Sequence, residues 1–430
     1  MTMTKNTAIR LNRPLSATVQ IRAAHCGKPK SKYLLPCFML LLGGGMPGKS
    51  IALPGDTVKP YAAFNMLYDS NFLRLSDDMD SAQLTGKNSK DDFVKQLSAG
   101  FDMDWSISRQ HFIINANVNQ NWFQNFTNLD YTGWDTQAQW NWQLGNNFNG
   151  EIGYANTQML GSFAQLGGLF DNLQNNQRYF ANGGYLFHPN GKITLGVFRT
   201  KNKFDGDSRQ VSNNTEDNAE LNLQYLSPTE STLGLRVIAT DGSYPQRPLS
   251  TDGSRDTGYT RMNYAVTWDW RASSKTRIDG LVGYTQQNFD NFSALDFSDI
   301  VARLNLHWQT SDKLLLELSG RREITLADNL FASFLLTQGV WFNLRWQTSP
   351  KITLELPVSY QEQNYLGGSN NSQGFEQQKD KVGMVGLNVL YRPIDSISIG
   401  LVLNYEKRDS NYPIASYETQ SAGLNLQMVF

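Results

Sequence analysis

The sequence predicts an all-β fold: a transmembrane, antiparallel, up-and-down β-barrel of about 18 strands, with 16 as the alternative. Three observations carry the prediction. Apolar and polar residues alternate along most of the chain, short and long connections follow one another in strict order, and large aromatics collect beside the short connections. Period 2 belongs to a strand with two unlike faces, because successive side chains point to opposite sides. The 430 residues have a mean hydropathy of −0.45, with 35 Gly, 18 Tyr and 10 Trp, a composition that favours strands and turns over long periodic helices.

The first 52 residues stand apart. They hold eight Lys or Arg and no Asp or Glu, and from Tyr33 run into the apolar YLLPCFMLLLGGGM. A basic region before a short apolar one reads as a cleavable export signal over residues 1–52, with cleavage after Ala52 in SIA. The apolar run is too short, and too broken by Pro and Gly, for a spanning helix of ~20 residues. The basic region is longer than usual, which allows a start downstream of Met1. Residues 53–430 then form the barrel. Of the 38 basic residues, 30 remain against 39 acidic ones, a net of −9, which argues against a nucleic-acid partner. Cys26 and Cys37 both lie in the signal, and more apolar sequence follows Cys37, unlike a lipidation site. The mature chain therefore has neither disulfides nor a thiolate metal site.

Strand candidates repeat the two-faced pattern. LSAGFDMDW sets Leu97, Ala99, Phe101, Met103 and Trp105 against Ser98, Gly100, Asp102 and Asp104, and IVARLNLHW sets Ile300, Ala302, Leu304, Leu306 and Trp308 against Val301, Arg303, Asn305 and His307. AELNLQY, MNYAVTWDW, ITLELPVSY and ISIGLVLNY behave alike. The short connections SISRQ, LGNNFNG, HPNGK, SPTES, RASSKT, TSDK, TSPK and RPIDS are rich in turn formers. Between them come long ones such as SDDMDSAQLTGKNSKDD, LGSFAQLGGLFDNLQN and DGSYPQRPLSTDGSRDTG. Short periplasmic turns alternating with long outer loops are what a membrane barrel produces, and an even strand number puts both ends in the periplasm. The loops around Asp78, Asp207, Asp252 and Asn370 are expected outside, and Asn190, Ser227, Ser349 and Asp395 inside. Strands of ~9 to 11 residues suffice to cross.

Trp105, Tyr225, Trp268, Trp270, Trp308, Trp346 and Tyr391 all precede short turns, where an interfacial aromatic girdle sits. The last ten residues, SAGLNLQMVF, place Leu424, Leu426, Met428 and Phe430 on one face. This strand is expected to face lipid and close the barrel against the first, leaving no open edge. Its terminal Phe resembles the C-terminal assembly signal of bacterial outer-membrane proteins. The lipid bilayer and the barrel assembly machinery are the partners this implies, in the bacterial outer membrane.

Barrels of 16 to 18 strands enclose water. The inward faces are accordingly polar: Asn115, Asn117, Asn119 and Asn121 on one strand, Gln137, Gln139, Asn141 and Gln143 on the next. Charged candidates for the substrate path crowd the C-terminal half: Arg236, Arg261, Asp269, Arg271, Arg277, Asp279, Asp299, Arg303, Glu317, Arg321, Arg345 and Glu355. They read either as Arg–carboxylate pairs stiffening the wall or as a lining for a polyhydroxylated or acidic substrate. The amides suit sugar hydroxyls, which both donate and accept, and suit water equally.

No enzymatic motif is present: no G-x-S-x-G, HExxH, P-loop or EF-hand loop. His111, His188 and His307 are isolated, so no catalytic residue, cofactor or metal site is expected. The acidic SDDMDS reads as a solvated charge run.

The stretch VKPYAAFNMLYDSNFLRLSDD, with Tyr68, Asp69, Asn71, Phe72, Arg74 and Leu75 in a Tyr-Asp-x-Asn-aromatic-x-Arg-Leu pattern, resembles the opening strand of the type 2 β-barrel porins. Within that group the chain is similar to the EpsL-like outer-membrane proteins of exopolysaccharide clusters. The resemblance implies biosynthesis or export of a polysaccharide across the outer membrane, with periplasmic export components as partners. A diffusion porin for small solutes is the alternative, and a non-conducting structural barrel the second. A long loop folding into the pore separates the first two, and GSFAQLGGLFDNLQNNQ is the candidate.

Overall fold

Alternation along the chain becomes pairing across it. The computed structural model describes residues 57–164, 172–251, 253, 255–326, 334–366 and 377–430, so the export-signal reading of residues 1–52 lies outside the described residues. The first nine strands are β1 (Val58–Asp69), β2 (Asp92–Ile107), β3 (Gln110–Phe123), β4 (Tyr131–Leu144), β5 (Phe148–Leu160), β6 (Leu173–His188), β7 (Gly191–Phe204), β8 (Asn214–Leu226) and β9 (Thr232–Ser243). The second nine are β10 (Gly258–Arg271), β11 (Thr276–Phe289), β12 (Phe297–Ser311), β13 (Leu314–Leu326), β14 (Phe334–Ser349), β15 (Ile352–Leu366), β16 (Lys379–Ile394), β17 (Ile397–Ser410) and β18 (Tyr417–Val429).

Every strand pairs antiparallel with its neighbours in sequence, and β18 returns to β1 in a register running from Tyr61↔Val429 to Asp69↔Ser421. The barrel is closed with 18 strands, not 16. The backbone N–H of Phe430 completes the seam by donating to the carbonyl of Pro60 at 2.9 Å. Strands of 12 to 16 residues exceed the ~9 to 11 a bilayer needs. The excess falls at the outer rim, where β-pairing continues beyond the apolar zone.

Exposure identifies the two faces. Leu195 is 61% exposed and Leu304 51%, while Arg236 and Asn305 are each 2% exposed. In water a wall of bare Leu and Val forfeits about 25 cal/mol per Å², so this outer surface is built for hydrocarbon. Trp105, Tyr225, Trp270, Trp308, Trp346 and Tyr391 lie exposed on it at the short-turn end. Trp268 is half-buried, because its ring lies over Gly280, where a Cβ would come within 2.6 Å. The turns holding Asn190, Ser227, Ser349 and Asp395 share one end, and the loops of Asp78 and Asp207 share the other. Asp252 and Asn370 lie outside the described residues. Within the acidic first loop a short helix, α1 (Ser81–Thr85), is capped by Asp80, whose carboxylate accepts from the Ala82 N–H at 2.9 Å.

The outer loops carry cores of their own. Leu67, Phe72, Leu73, Leu75, Val94, Phe123, Phe126, Leu129, Leu160 and Phe163 form one buried cluster, and Tyr244, Tyr259, Phe289 and Leu295 a second. Both lie inside the outer mouth.

Candidate channel and its outer mouth

Inside the barrel, residues two apart on one strand meet partners directly opposite on the next. Around β1 to β3 the result is a chain of amides. Asn65 Nδ2 donates to Gln96 Oε1 at 2.7 Å, Gln96 Nε2 to Asn121 Oδ1 at 2.9 Å, and Asn121 Nδ2 to Asn119 Oδ1 at 2.6 Å. Further round, Gln139 on β4 and Asn182 on β6 both donate to Glu151 of β5 at 2.8 Å.

From β8 onward the wall is charged, and the charges meet in pairs. Arg236 faces Glu220 at 3.0 Å, Arg261 faces Glu216 at 2.9 Å, and Arg277 grips Asp269 through two 2.8 Å bonds. Arg303 Nε reaches Glu323 at 2.9 Å and Arg345 reaches Glu355 at 2.6 Å. His307 lies between Asp279 at 3.5 Å and Glu317 at 3.4 Å. Arg321 stacks 4.6 Å over Trp341. The two remaining candidates sit at the rims: Arg271 pairs with Glu230 of a periplasmic turn, and Asp299 pairs with Arg322 at 2.5 Å near the outer edge. The other histidines have local duties, His111 beside Asp104 and His188 accepting from the Asn190 N–H at 3.2 Å.

A second network at the outer mouth joins residues that lie far apart in the chain. Asp69 accepts from the Asn71 N–H at 2.9 Å and from Thr419 Oγ1 at 2.6 Å, and pairs with Arg74 at 3.0 Å. Arg74 has a φ of +60°, a left-handed conformation costing a non-glycine residue of order 1 kcal/mol. The ion pair and the Asn71 side chain, which bonds both the N–H and the C=O of Leu75 at 2.9 and 2.8 Å, hold that turn. Arg74 continues to Glu406 at 3.6 Å, Glu406 accepts from Tyr417 at 2.8 Å, and Arg408 binds Asp380 and the Tyr365 hydroxyl. The Tyr-Asp-x-Asn-aromatic-x-Arg-Leu pattern thus works locally: it turns the first loop inward so that Phe72 enters the apolar cluster.

The stretch expected to fold inward does so as far as it is described. Residues 165–171 lie outside the described residues, but Phe163 is 2% exposed with its ring 5.9 Å from Phe72, and the Ala164 carbonyl accepts from Arg408. Arg408 stands on β17 and Ala164 follows β5, six strands away round the ring. The loop leaves its own wall and crosses toward another.

One device recurs at the mouth. Asn125–Phe126, Asn291–Phe292 and Asn411–Tyr412 each open a short outer loop with a single 3-10 turn, and each Asn ties that loop to the end of the long loop before it. Asn125 donates to the Asp91 carbonyl at 2.9 Å, Asn291 to the Asp256 carboxylate at 2.8 Å, and Asn411 to the Gln377 carbonyl at 2.9 Å. The recurring Asn-aromatic pair was the sequence signal for this clamp. Burial works against the charge on Asp256, but hydrogen bonds from Asn291, Thr257 and Phe292 outweigh it and hold the carboxyl below the usual carboxylate range. The clamp is therefore complete above about pH 4, the ordinary Asp value, and is lost only as pH falls through the lower folded value. Asp256→Ala leaves the part-buried N–H donors of Thr257, Asn291 and Phe292 without their carboxylate, at about 1 kcal/mol. Tryptic cleavage after Arg255 in the folded barrel is expected to speed up about fivefold, and an unchanged rate would show that the clamp does not hold the loop.

The family described as "Putative beta-barrel porin 2" matches residues 251–430, the half of the barrel from β10 to β18. No curated protein matches the chain. Among solved structures, the chain is similar to the outer membrane protein opdK from Pseudomonas aeruginosa, at 10% identity over 87% of this chain and 99% of that one, with a TM-score of 0.48. OccK9 (OpdG) of the same organism gives 8%, 87%, 98% and 0.49, and a BenF-like porin from Pseudomonas fluorescens Pf-5 gives 7%, 87%, 99% and 0.47. With its closed ring of 18 strands, apolar outer wall and polar interior, the chain is a porin-like β-barrel of the bacterial outer membrane.

Proposed function

We propose that the barrel is a diffusion channel for small hydrophilic solutes, narrowed at its outer mouth by the loop after β5. The observation that carries this reading is the contact between the Ala164 carbonyl and Arg408, six strands apart on the ring. A loop anchored that far from its root occupies cross-section that a polymer in transit would need. Asp69, Asn71 and Arg74, which carry the resemblance to the type 2 β-barrel porins, are engaged in the turn that packs the first loop into the same mouth. That favours the small-solute reading over polymer export.

The lining candidates fit a path of weak charge preference. Arg236, Arg261, Arg277, Arg303 and Arg345 each face a carboxylate, so the wall offers little net field, while amides and hydroxyls between the pairs serve uncharged polar solutes. Proteoliposome swelling with a graded series of sugars tests the proposal. Mono- and disaccharides are expected to enter, with a sharp cut-off at longer oligosaccharides. Entry of long oligosaccharides at similar rates would overturn it, and so would the absence of any swelling.

A further inference from the structure

Two phenyl rings stand open on the otherwise polar inner wall. Thr194, Gly196 and Phe198 are the inward positions of β7 between the lipid-facing Leu195 and Val197, so they lie within the membrane-spanning zone. The register sets Phe198 beside Phe180, and one step toward the periplasm it sets Gly196 beside Asn182 and Glu151. Both rings are half-buried, whereas Trp341 on the inner face of β14 is 7% exposed beneath Arg321. Apolar surface left against water forfeits about 25 cal/mol per Å², which a passing solute with an apolar face recovers.

Glycines give the rings a hollow beside them. The Phe180 ring lies over Gly153, where an added Cβ would collide with it, and at Gly196 an added Cβ would meet nothing closer than 3.3 Å. Arg178, 5.5 Å from the Phe180 ring and 4.9 Å from that of Phe198, closes the hollow on the outer side. On the periplasmic side the Lys192 side chain lies over Gly184, next to Asn149. The Lys192 ammonium, the Thr194 hydroxyl and the Asn149 amide make no side-chain hydrogen bond among the described residues, and all three line the hollow.

The charges here cancel. On the inner faces of β4 to β8, Glu216 and Glu220 are taken by Arg261 and Arg236, which leaves Arg178 and Lys192 against Asp135 and Glu151. A wall without net charge selects no ion. What it offers is an apolar platform with uncommitted donors and acceptors on one side, and an uncharged pyranose matches both, with its C–H face and its rim of hydroxyls.

We infer that this hollow on the inner wall of β5 to β8 binds one uncharged pyranose unit in passage, its C–H face on Phe180 and Phe198 and its hydroxyls on Lys192, Thr194 and Asn149. The inference rests on the small-solute reading and adds a saturable step to it. Single-channel recordings of the full barrel in planar bilayers are titrated with methyl β-D-glucopyranoside, with sorbitol, which has hydroxyls but no ring, and with glucuronate. The glucoside is expected to lower the conductance saturably, and sorbitol without saturation. Phe198→Ala, which removes the platform, and Gly196→Val, which fills the hollow and suits a strand, should each raise the half-saturating concentration about tenfold. Met384→Ala leaves it unchanged: Met384 is inward on β16, opposite Ser359 and Glu406, nine strands round the ring. Conductance itself shows that each variant is folded. Equal saturation by sorbitol, tighter binding of glucuronate, or an equal effect of Met384→Ala would overturn the site. Passage of the glucoside without saturation would overturn it too while leaving the diffusion reading intact, whereas exclusion of all three solutes would overturn both.

Discussion

Phe163→Ala is expected to open the channel. Its ring sits in a cluster made of loop and strand-end residues, beside Phe72 and with Leu160 and Phe126, and emptying such a site costs about 3–5 kcal/mol. A surface loop is held by far less than the whole barrel, so the loss releases the segment after β5 and leaves the 18-stranded ring intact. Single-channel conductance in planar bilayers should rise roughly twofold or more as the constriction widens, and the sugar cut-off should move to longer chains. Folded variant protein with unchanged conductance and cut-off would show that the constriction lies elsewhere, and would remove the main support for the small-solute reading.

Leu304→Arg and Arg303→Leu are neighbours with opposite expected outcomes. Leu304 faces lipid near the middle of β12, and an arginine there costs roughly 2–4 kcal/mol, so the amount of barrel assembled in the outer membrane should fall sharply. Arg303 faces inward against Glu323. Arg303→Leu combined with Arg345→Leu leaves Glu323 and Glu355 as uncompensated carboxylates on the wall, so assembled protein persists and reversal potentials shift toward cation selectivity. Unchanged selectivity would mean that these pairs stiffen the wall away from the conducting path. Normal assembly of Leu304→Arg would contradict the assignment of faces.

Much of the architecture was legible in the residues themselves. Whether Leu304 faces lipid and Arg303 faces the interior follows from alternation, because a strand presents its neighbours to opposite sides whatever surrounds it. The count of 18 followed from turn formers such as HPNGK and TSPK, which act over a few residues. The crowding of charges on the inward faces was equally visible, since parity alone selects them.

What the tertiary structure decided was every relation between distant residues. Asp69 meets Thr419 across 350 positions because the ring closes, and Ala164 meets Arg408 because a loop rooted after β5 lies across the mouth. Which carboxylate each arginine takes depends on register, and whether a loop folds inward depends on the apolar cluster that receives Phe72 and Phe163. Period-2 patterning carries no information about either. Strand faces are properties of successive backbone dihedrals, written locally, whereas the width of the mouth, the pairing of its charges and the hollow beside Phe180 and Phe198 on the inner wall arise only when separate strands are brought side by side.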